Sequence, residues 1–155
     1  MIGERYEVTG FIFKQLIDGE WIDAAAGGVW ELVNPATEDV IGLMPFGDAD
    51  DAQAAVDAAA EAFPAWSKKT PYERAAILMR AAGWIRERID ALGAITTEES
   101  GKPLRESTAE WTTAANSFEW FAEAAKHHYG QVVPARRADR RLLVIEQPLG
   151  VVGTI

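Results

Sequence analysis

The stretch EQPLGVVGTI, residues Glu146 to Ile155, decides the fold class of this sequence. Pro148 and Gly150 turn the chain, and the residues that follow, Val151 to Ile155, are apolar or small and uncharged. A continuous apolar run of this kind is typical of a strand that is covered on both faces of a parallel sheet. Such a strand needs neighbours, and the sequence offers none after it. We therefore expect an α/β fold whose sheet opens here and is incomplete in this chain.

Two capping sequences predict helices upstream of this strand. Asp48 can cap a helix that holds Asp51 at its third position, and Pro64 is expected to close that helix. The sequence TPYE, residues 70–73, is a complete capping box with proline at the first helical position. An apolar stripe at helical spacing runs from there towards Ile95.

A third helix is predicted after the break at Gly101-Lys102-Pro103. Pro103 opens it, and it extends to about Tyr129, where Gly130 is placed to end it. Four apolar residues are expected to share one side of this helix: Trp111, Ala114, Phe118 and Phe121.

The first part of the chain is predicted to be an antiparallel meander. Asp18-Gly19 between two short apolar pairs is a strong hairpin signal. The segment VWELV, Val29 to Val33, is expected to form a strand that stops at Asn34-Pro35, and VIGLMPF, Val40 to Phe46, forms the next one. Near the other end, the β-branched stretch LLVIE also favours a strand.

Composition excludes several function classes. The net charge of -9 at pH 7 opposes non-specific binding to nucleic acid. No apolar run approaches the ~20 residues of a membrane helix, and Glu4, Arg5 and Glu7 stand where a signal peptide requires apolar residues. We expect a cytoplasmic protein with neither nucleic acid nor a membrane as partner. The sequence has no cysteine, which removes disulfides, thiolate metal sites and a cysteine nucleophile.

Three local features suggest chemistry but are better explained by structure. Gly101-Lys102-Pro103 lacks the strand and the hydroxyl residue of a phosphate loop, so we interpret it as a helix break. His127-His128 point about 100° apart on a helix and cannot chelate one ion together. The cluster of four arginines between positions 136 and 141 has no interleaved aromatic residues, which favours a solvated or subunit-interface arm.

The order of seven segments carries more information than any one of them. They are LIDGEWID, VNPATEDVIG, DDAQAAVDAAAEAFPAW, ERAAILMRAA, ESGKPLRES, FEWFAEAAKHHYG and ADRRLLVIEQPLGVVGTI. Together, over Leu16 to Ile155, they resemble the N-terminal third of the aldehyde dehydrogenase superfamily, and the last two are most similar to succinate-semialdehyde dehydrogenases.

The resemblance implies how the chain is organised. Residues 1–138 would form the N-terminal part of the NAD(P)-binding domain, with a β-meander and long helices. Residues 139–148 would be a strand of the oligomerisation arm, which forms a homo-oligomer through strand 141–147. Residues 149–155 would be the first, truncated strand of the Rossmann-like cofactor sheet.

The resemblance also implies the chemistry. In the family a cysteine thiolate attacks the aldehyde, hydride passes to NAD or NADP, and a glutamate-activated water releases the acid. All of these catalytic residues would lie beyond Ile155, so no catalytic residue is assigned to this chain and we expect it to be inactive alone.

Five positions of the chain match family sites. Ile155 matches a residue that lines the cofactor site, and Thr113 falls where family members line the substrate tunnel. Leu32, Val33 and Glu99 match positions that hold a structural monovalent cation in some members, the first two through backbone carbonyls. An ordinary helix-surface role for Thr113 and ordinary structural roles for the other three are the alternatives.

Three functions remain open at this point. The first is an NAD(P)-dependent aldehyde dehydrogenase, seen in its N-terminal part and acting for example on succinate semialdehyde. The second is a non-catalytic short form that docks on full-length subunits through its strand edges. The third is a related acyl-phosphate reductase, which shares the architecture but usually lacks the VNPAT and GEWI sequences found here.

Overall fold

The computed structural model describes residues 13–154, which form three strand pairs and four helices. The strands are β1 (Gln15–Ile17), β2 (Glu20–Ile22), β3 (Val29–Val33), β4 (Val40–Pro45), β5 (Gln131–Val133) and β6 (Leu142–Val144). The helices are α1 (Ala49–Ser67), α2 (Pro71–Arg86), α3 (Ile89–Ser100) and α4 (Leu104–Ala124), and a short 3-10 turn, Ala125–His127, follows α4. The mixture of strands and helices confirms the expected α/β class.

The β1–β2 hairpin turns where the sequence predicts. Asp18 and Gly19 have φ values of 51° and 79°, as a type I′ turn requires. The predicted meander, however, is wrong in one respect, since β1–β2 and β3–β4 are two separate antiparallel pairs. The segment that connects the two pairs is hydrogen-bonded to α1 instead, because the backbone N–H of Ala25 donates to Asp51 Oδ1 at 3.0 Å.

Both predicted helix caps are present, and each forms a capping box. Asp48 accepts from the backbone N–H of Asp50, and the Asp51 carboxylate accepts from the Asp48 backbone at 3.0 Å. Thr70 and Glu73 form the reciprocal pair at the start of α2. The prediction that Pro64 closes α1 is wrong, because the helix continues to Ser67. A proline removes one backbone hydrogen bond, and one further turn of helix still forms after it.

The apolar stripe towards Ile95 belongs to two helices, not one. The chain leaves helical geometry at Arg88 (φ -123°, ψ 12°), and α3 begins at the next residue. The break allows Leu92 of α3 and Ile85 of α2 to form one buried cluster with Ala115 of α4. Similarly, α4 ends at Ala124 and not near Tyr129, because the chain tightens there into the 3-10 turn.

The core of the described residues lies where α2 and α3 pack on α4. Alanines of α2 and α4 are completely buried there, and such small side chains allow close approach of the helices. The buried face of α4 contains Ser107, Ala115 and Ala122, with Trp111 packed against it. The predicted apolar side is therefore partly wrong, since Phe121 is 63% exposed. Large rings do not fit between helices that meet through alanine.

The second hairpin, β5–β6, forms an arm after the helices. Its register pairs Gln131 with Val144 and Val133 with Leu142. The sequence predicts β6 within LLVIE but not β5. Val151 to Thr154 form no hydrogen-bonded strand, and Ile155 lies outside the described residues, so the strand expected at 149–155 and the domain boundaries stay predictions. Each helix within residues 13–154 is too short or too polar to cross a membrane.

Candidate functional site

The segment that leads to Ile155 is apolar and exposed. Leu149 is 97% exposed and Val152 is 69% exposed. Apolar side chains gain about 25 cal/mol per Å² when they are covered, so a segment of this kind favours burial against further structure. Ile155 itself, the predicted cofactor contact, is outside the described residues, and its role stays a prediction.

Thr113 lies on the exposed side of α4. Its hydroxyl donates to the backbone carbonyl of Ala109 at 3.0 Å, which holds the side chain against its own helix. Ser117 and Trp120, four and seven residues later, share this side of the helix, and Trp120 is 72% exposed. The three residues form one accessible helical face with a polar and an aromatic part. The structure places Thr113 there and not among the core residues.

The three predicted cation ligands lie on two elements whose ends meet. A β-bulge separates Leu32 from Val33, because Leu32 pairs with Gly42 and Val33 pairs with Val40. Glu99 is exposed in the last turn of α3, two residues before Gly101. A Cβ on Gly101 would lie 2.9 Å from Pro35 Cγ, so the end of α3 touches the turn that follows β3.

The end of α3, which carries Glu99, thus lies near the turn that follows Leu32 and Val33. Carbonyl and carboxylate oxygens are the ligands that hard cations prefer. A bulge interrupts the regular ladder and re-aims backbone groups next to it. Among residues 13–154, no group of three or more His, Cys, Asp or Glu side chains is arranged to hold a metal ion.

An ion pair joins α4, which carries Thr113, to α2. Arg86 on α2 donates to both carboxylate oxygens of Glu119 on α4, at 3.0 and 2.8 Å, and to Asn116 at 2.7 Å. These hydrogen bonds lower the pKa of Glu119 below its ordinary value. Likewise, the backbone N–H of Ala25 is the main cause of a lowered pKa for Asp51. Both carboxylates act as structural acceptors that stay charged at neutral pH.

The two adjacent histidines contact different partners. His127 Nδ1 is 2.6 Å from the Tyr129 hydroxyl, and His128 Nδ1 is 2.8 Å from Glu146 Oε2. The second contact joins the turn after α4 to the segment that follows β6. The predicted arginine cluster lies between β5 and β6, where Arg137 forms a two-pronged contact with Asp139 at 3.0 and 2.8 Å.

Sequence reasoning missed one feature, a cleft of about 550 Å³ between the end of α1, the start of α2, the end of α4 and the segment after β6. Trp66, Arg74 and Phe121 contribute to its walls. No local motif predicts the cleft, because its lining residues come from distant parts of the chain and none of them stands out in the sequence.

Comparison with known proteins identifies the family. The family model described as "Aldehyde dehydrogenase family" matches residues 21–155. A succinate-semialdehyde dehydrogenase [NADP(+)] of Escherichia coli is 45% identical over 93% of this chain and 30% of its own length. A glutarate-semialdehyde dehydrogenase of Pseudomonas putida is 43% identical over the same shares of the two chains, 93% and 30%.

Solved structures agree with these matches. The structure of an NADP-dependent enzyme from E. coli has a TM-score of 0.87 and 45% identity, over 89% of this chain and 29% of that one. A succinate-semialdehyde dehydrogenase from Burkholderia pseudomallei has a TM-score of 0.88 and 36% identity, over 96% and 31% of the two chains. The chain thus spans about 30% of the length of these two curated semialdehyde dehydrogenases. These matches confirm the resemblance identified from the sequence and the expected fold: this chain belongs to the aldehyde dehydrogenase family.

Proposed function

We propose that this chain supplies the N-terminal part of an NAD(P)-dependent aldehyde dehydrogenase that oxidises a short semialdehyde, such as succinate semialdehyde, to its acid. The observation that carries the proposal is the 45% identity to the E. coli succinate-semialdehyde dehydrogenase over 93% of this chain. The second relative, a glutarate-semialdehyde dehydrogenase, acts on the same class of compound by its name. A cytoplasmic location stays a prediction.

The chain's contribution to the reaction is structural. Aldehyde oxidation through a thioester needs a thiolate nucleophile, and this sequence contains no cysteine. NAD(P)+ supplies the hydride acceptor when it is bound. Leu149 and Val152 are exposed apolar residues on the segment that leads to Ile155, and they fit a strand that would be covered beside that cofactor. In the proposal Ile155 lines the cofactor site and takes no chemical part.

Thr113 is proposed to line the substrate tunnel from α4. Its exposure and its place beside Ser117 and Trp120 support a role in a surface that other structure covers. The hydroxyl oxygen keeps acceptor capacity after it donates to Ala109, so it can still receive a hydrogen bond.

A structural monovalent cation is proposed at Leu32, Val33 and Glu99. The contact between Gly101 and Pro35 supports this site, because it holds the end of α3 against the turn after β3. There the cation would join the Glu99 carboxylate to the backbone carbonyls at the bulge. Titration with potassium, with chemical shifts of the Glu99 backbone as readout, tests the site in the chain itself.

The partner proposed for the arm is a second copy of the protein, bound through strand 141–147. β6 is paired on one side only, by β5, within the described residues. Leu143 is 69% exposed and Ile145 is 71% exposed along this strand. A long exposed apolar edge recruits another strand, which gives a homo-oligomer.

The same open edge favours one alternative, a non-catalytic short form that docks on full-length subunits. The two functions differ in the gene product that the cell makes. If the short form is the natural product, a chain of residues 1–155 should be present in native extracts without a larger species that carries the same sequence.

The test is an assay of the complete gene product with succinate and glutarate semialdehydes, NAD+ or NADP+, and reduced cofactor as readout. The proposal predicts turnover that depends on a downstream cysteine and none from residues 1–155 alone. A complete product that binds NAD(P)+ but oxidises no aldehyde would contradict it, as would turnover by the purified cysteine-free chain.

A further inference from the structure

The cleft between the helices and the segment after β6 is lined by apolar and charged residues together. Its volume of about 550 Å³ lies within the range of roughly 300–1,000 Å³ that such sites occupy. Four stretches of chain form its walls, and they include Trp66 from α1, Pro71 and Arg74 from α2, and Phe121 from α4. Two aromatic residues, a proline and an arginine thus line one space.

Arg74 is the charged group that an incoming ligand would meet. Its Nη1 donates to the backbone carbonyl of Lys69, which orients the guanidinium group. Within residues 13–154 no carboxylate forms an ion pair with Arg74. An arginine has five N–H donors in a planar fork that matches a carboxylate, and most of them remain available here.

Glu146 does not neutralise this arginine. It is the one carboxylate in the described lining of the cleft, and its Oε2 lies 2.8 Å from His128 Nδ1. The histidine therefore engages the acidic group at one wall, while the guanidinium group lies at another. The contact also holds the segment of residues 146–148 in place as the fourth wall of the cleft.

Both aromatic walls are exposed among residues 13–154. Trp66 is 41% exposed and Phe121 is 63% exposed, although both are large apolar side chains on well-formed helices. Aromatic rings of this kind stack with flat apolar groups at centroid distances of about 4.5–7 Å. A ligand that covers both rings gains apolar burial as well as a charge contact.

From this combination we propose that the cleft binds a small aromatic carboxylate, with its ring between Trp66 and Phe121 and its carboxylate on Arg74. None of these residues belongs to the proposed tunnel, cofactor or cation positions. Binding at the cleft is therefore independent of the proposed oxidation, and either can fail without the other.

The experiment is a calorimetric titration of the chain with three probes: phenylacetate, acetate and 2-phenylethanol. Acetate lacks the ring and 2-phenylethanol lacks the charge. The proposal predicts that phenylacetate binds at least about tenfold more tightly than either one, because a charge-assisted contact and a stacking contact are each worth about a factor of ten. No binding of phenylacetate, or equal affinity for all three probes, overturns the proposal.

Two variants with matched controls locate the site. Arg74→Gln and Phe121→Ala should each weaken phenylacetate binding roughly tenfold. Arg80→Gln and Trp84→Ala, both on α2, alter exposed residues outside the cleft lining and should leave it unchanged within about twofold.

If loss of the Lys69 contact unfolds the Arg74 variant, Phe121→Ala decides alone, because an exposed ring can be removed without opening the core. Binding that survives in Phe121→Ala at the original affinity overturns the site.

Discussion

Gly101 joins two parts of the fold, and replacing it with alanine tests how they are joined. The residue ends α3 in the left-handed region with φ 71°. A residue with a Cβ pays about 1–2 kcal/mol in that conformation. The new Cβ would also lie 2.9 Å from Pro35 Cγ, on a ring that cannot turn away. Crowding of this kind destabilises the fold by about 1 kcal/mol more. The lower entropy of the unfolded alanine variant offsets about 0.4–1 kcal/mol of this loss.

We therefore expect Gly101→Ala to lower the free energy of unfolding by about 1–2.5 kcal/mol, measured by urea denaturation followed by circular dichroism. For a chain of this size the melting temperature should fall by roughly 2–10 °C.

Gly83→Ala is the matched control, since Gly83 lies inside α2 and a Cβ there would meet no atom within 4 Å. This control should gain about 0.5–1 kcal/mol. If Gly101→Ala is as stable as the unchanged chain while Gly83→Ala behaves as stated, the reasoning about the end of α3 and the turn after β3 is refuted.

Three further changes test other parts of the structure. Thr70→Ala removes the cap of α2 and should cost about 1 kcal/mol in a urea titration; no loss would mean that the capping box does not hold that helix. Hydrogen bonds from Arg86 lower the pKa of Glu119 in the folded chain. The pair therefore contributes stability above the pKa of an unfolded glutamate, near 4.3, and this contribution is lost as the pH falls through the lower pKa of the folded chain. Arg86→Gln should thus reduce the loss of stability on acidification below about pH 4.3, and an unchanged pH profile would exclude the pair as its cause. Leu143→Lys should shift the chain from oligomer to monomer in light scattering, whereas Val56→Lys, at an exposed apolar position of α1, should not. Equal effects of both changes would contradict self-association through strand 141–147.

Local chemistry explains the parts of the fold that could be predicted from the sequence. The caps at Asp48 and Thr70 and the turn at Asp18-Gly19 depend on residues within four positions of each other, and all are present. The end of α1 was predicted too early, because a proline removes only one backbone hydrogen bond and the last turn of the helix can form without it.

Features that depend on distant contacts could not be predicted in the same way. β5 was missed because three residues, QVV, give no pattern of their own and become a strand only when β6 lies beside them. The side of α4 that packs in the core differs from the predicted side, because it depends on which neighbouring helix lies against α4. Here alanines such as Ala115 decide the contact, and larger rings such as Phe121 are left outside.

The same distinction between local sequence and distant contacts applies to the candidate site. The order of segments in the sequence sufficed to identify the family, and the structure adds that the end of α3 meets the turn that follows β3. The cleft around Arg74 could not be anticipated, because its four walls are brought together only by the packing of α1, α2, α4 and the segment after β6.

The most direct test of the central proposal is the sequence of the encoding DNA through and past the codon for Ile155. The proposal predicts a reading frame that continues for about two further domains and encodes a cysteine nucleophile and a glutamate base in the remainder of the aldehyde dehydrogenase fold. A stop codon immediately after Ile155 would contradict it, and would favour instead a short form that acts by docking on another subunit.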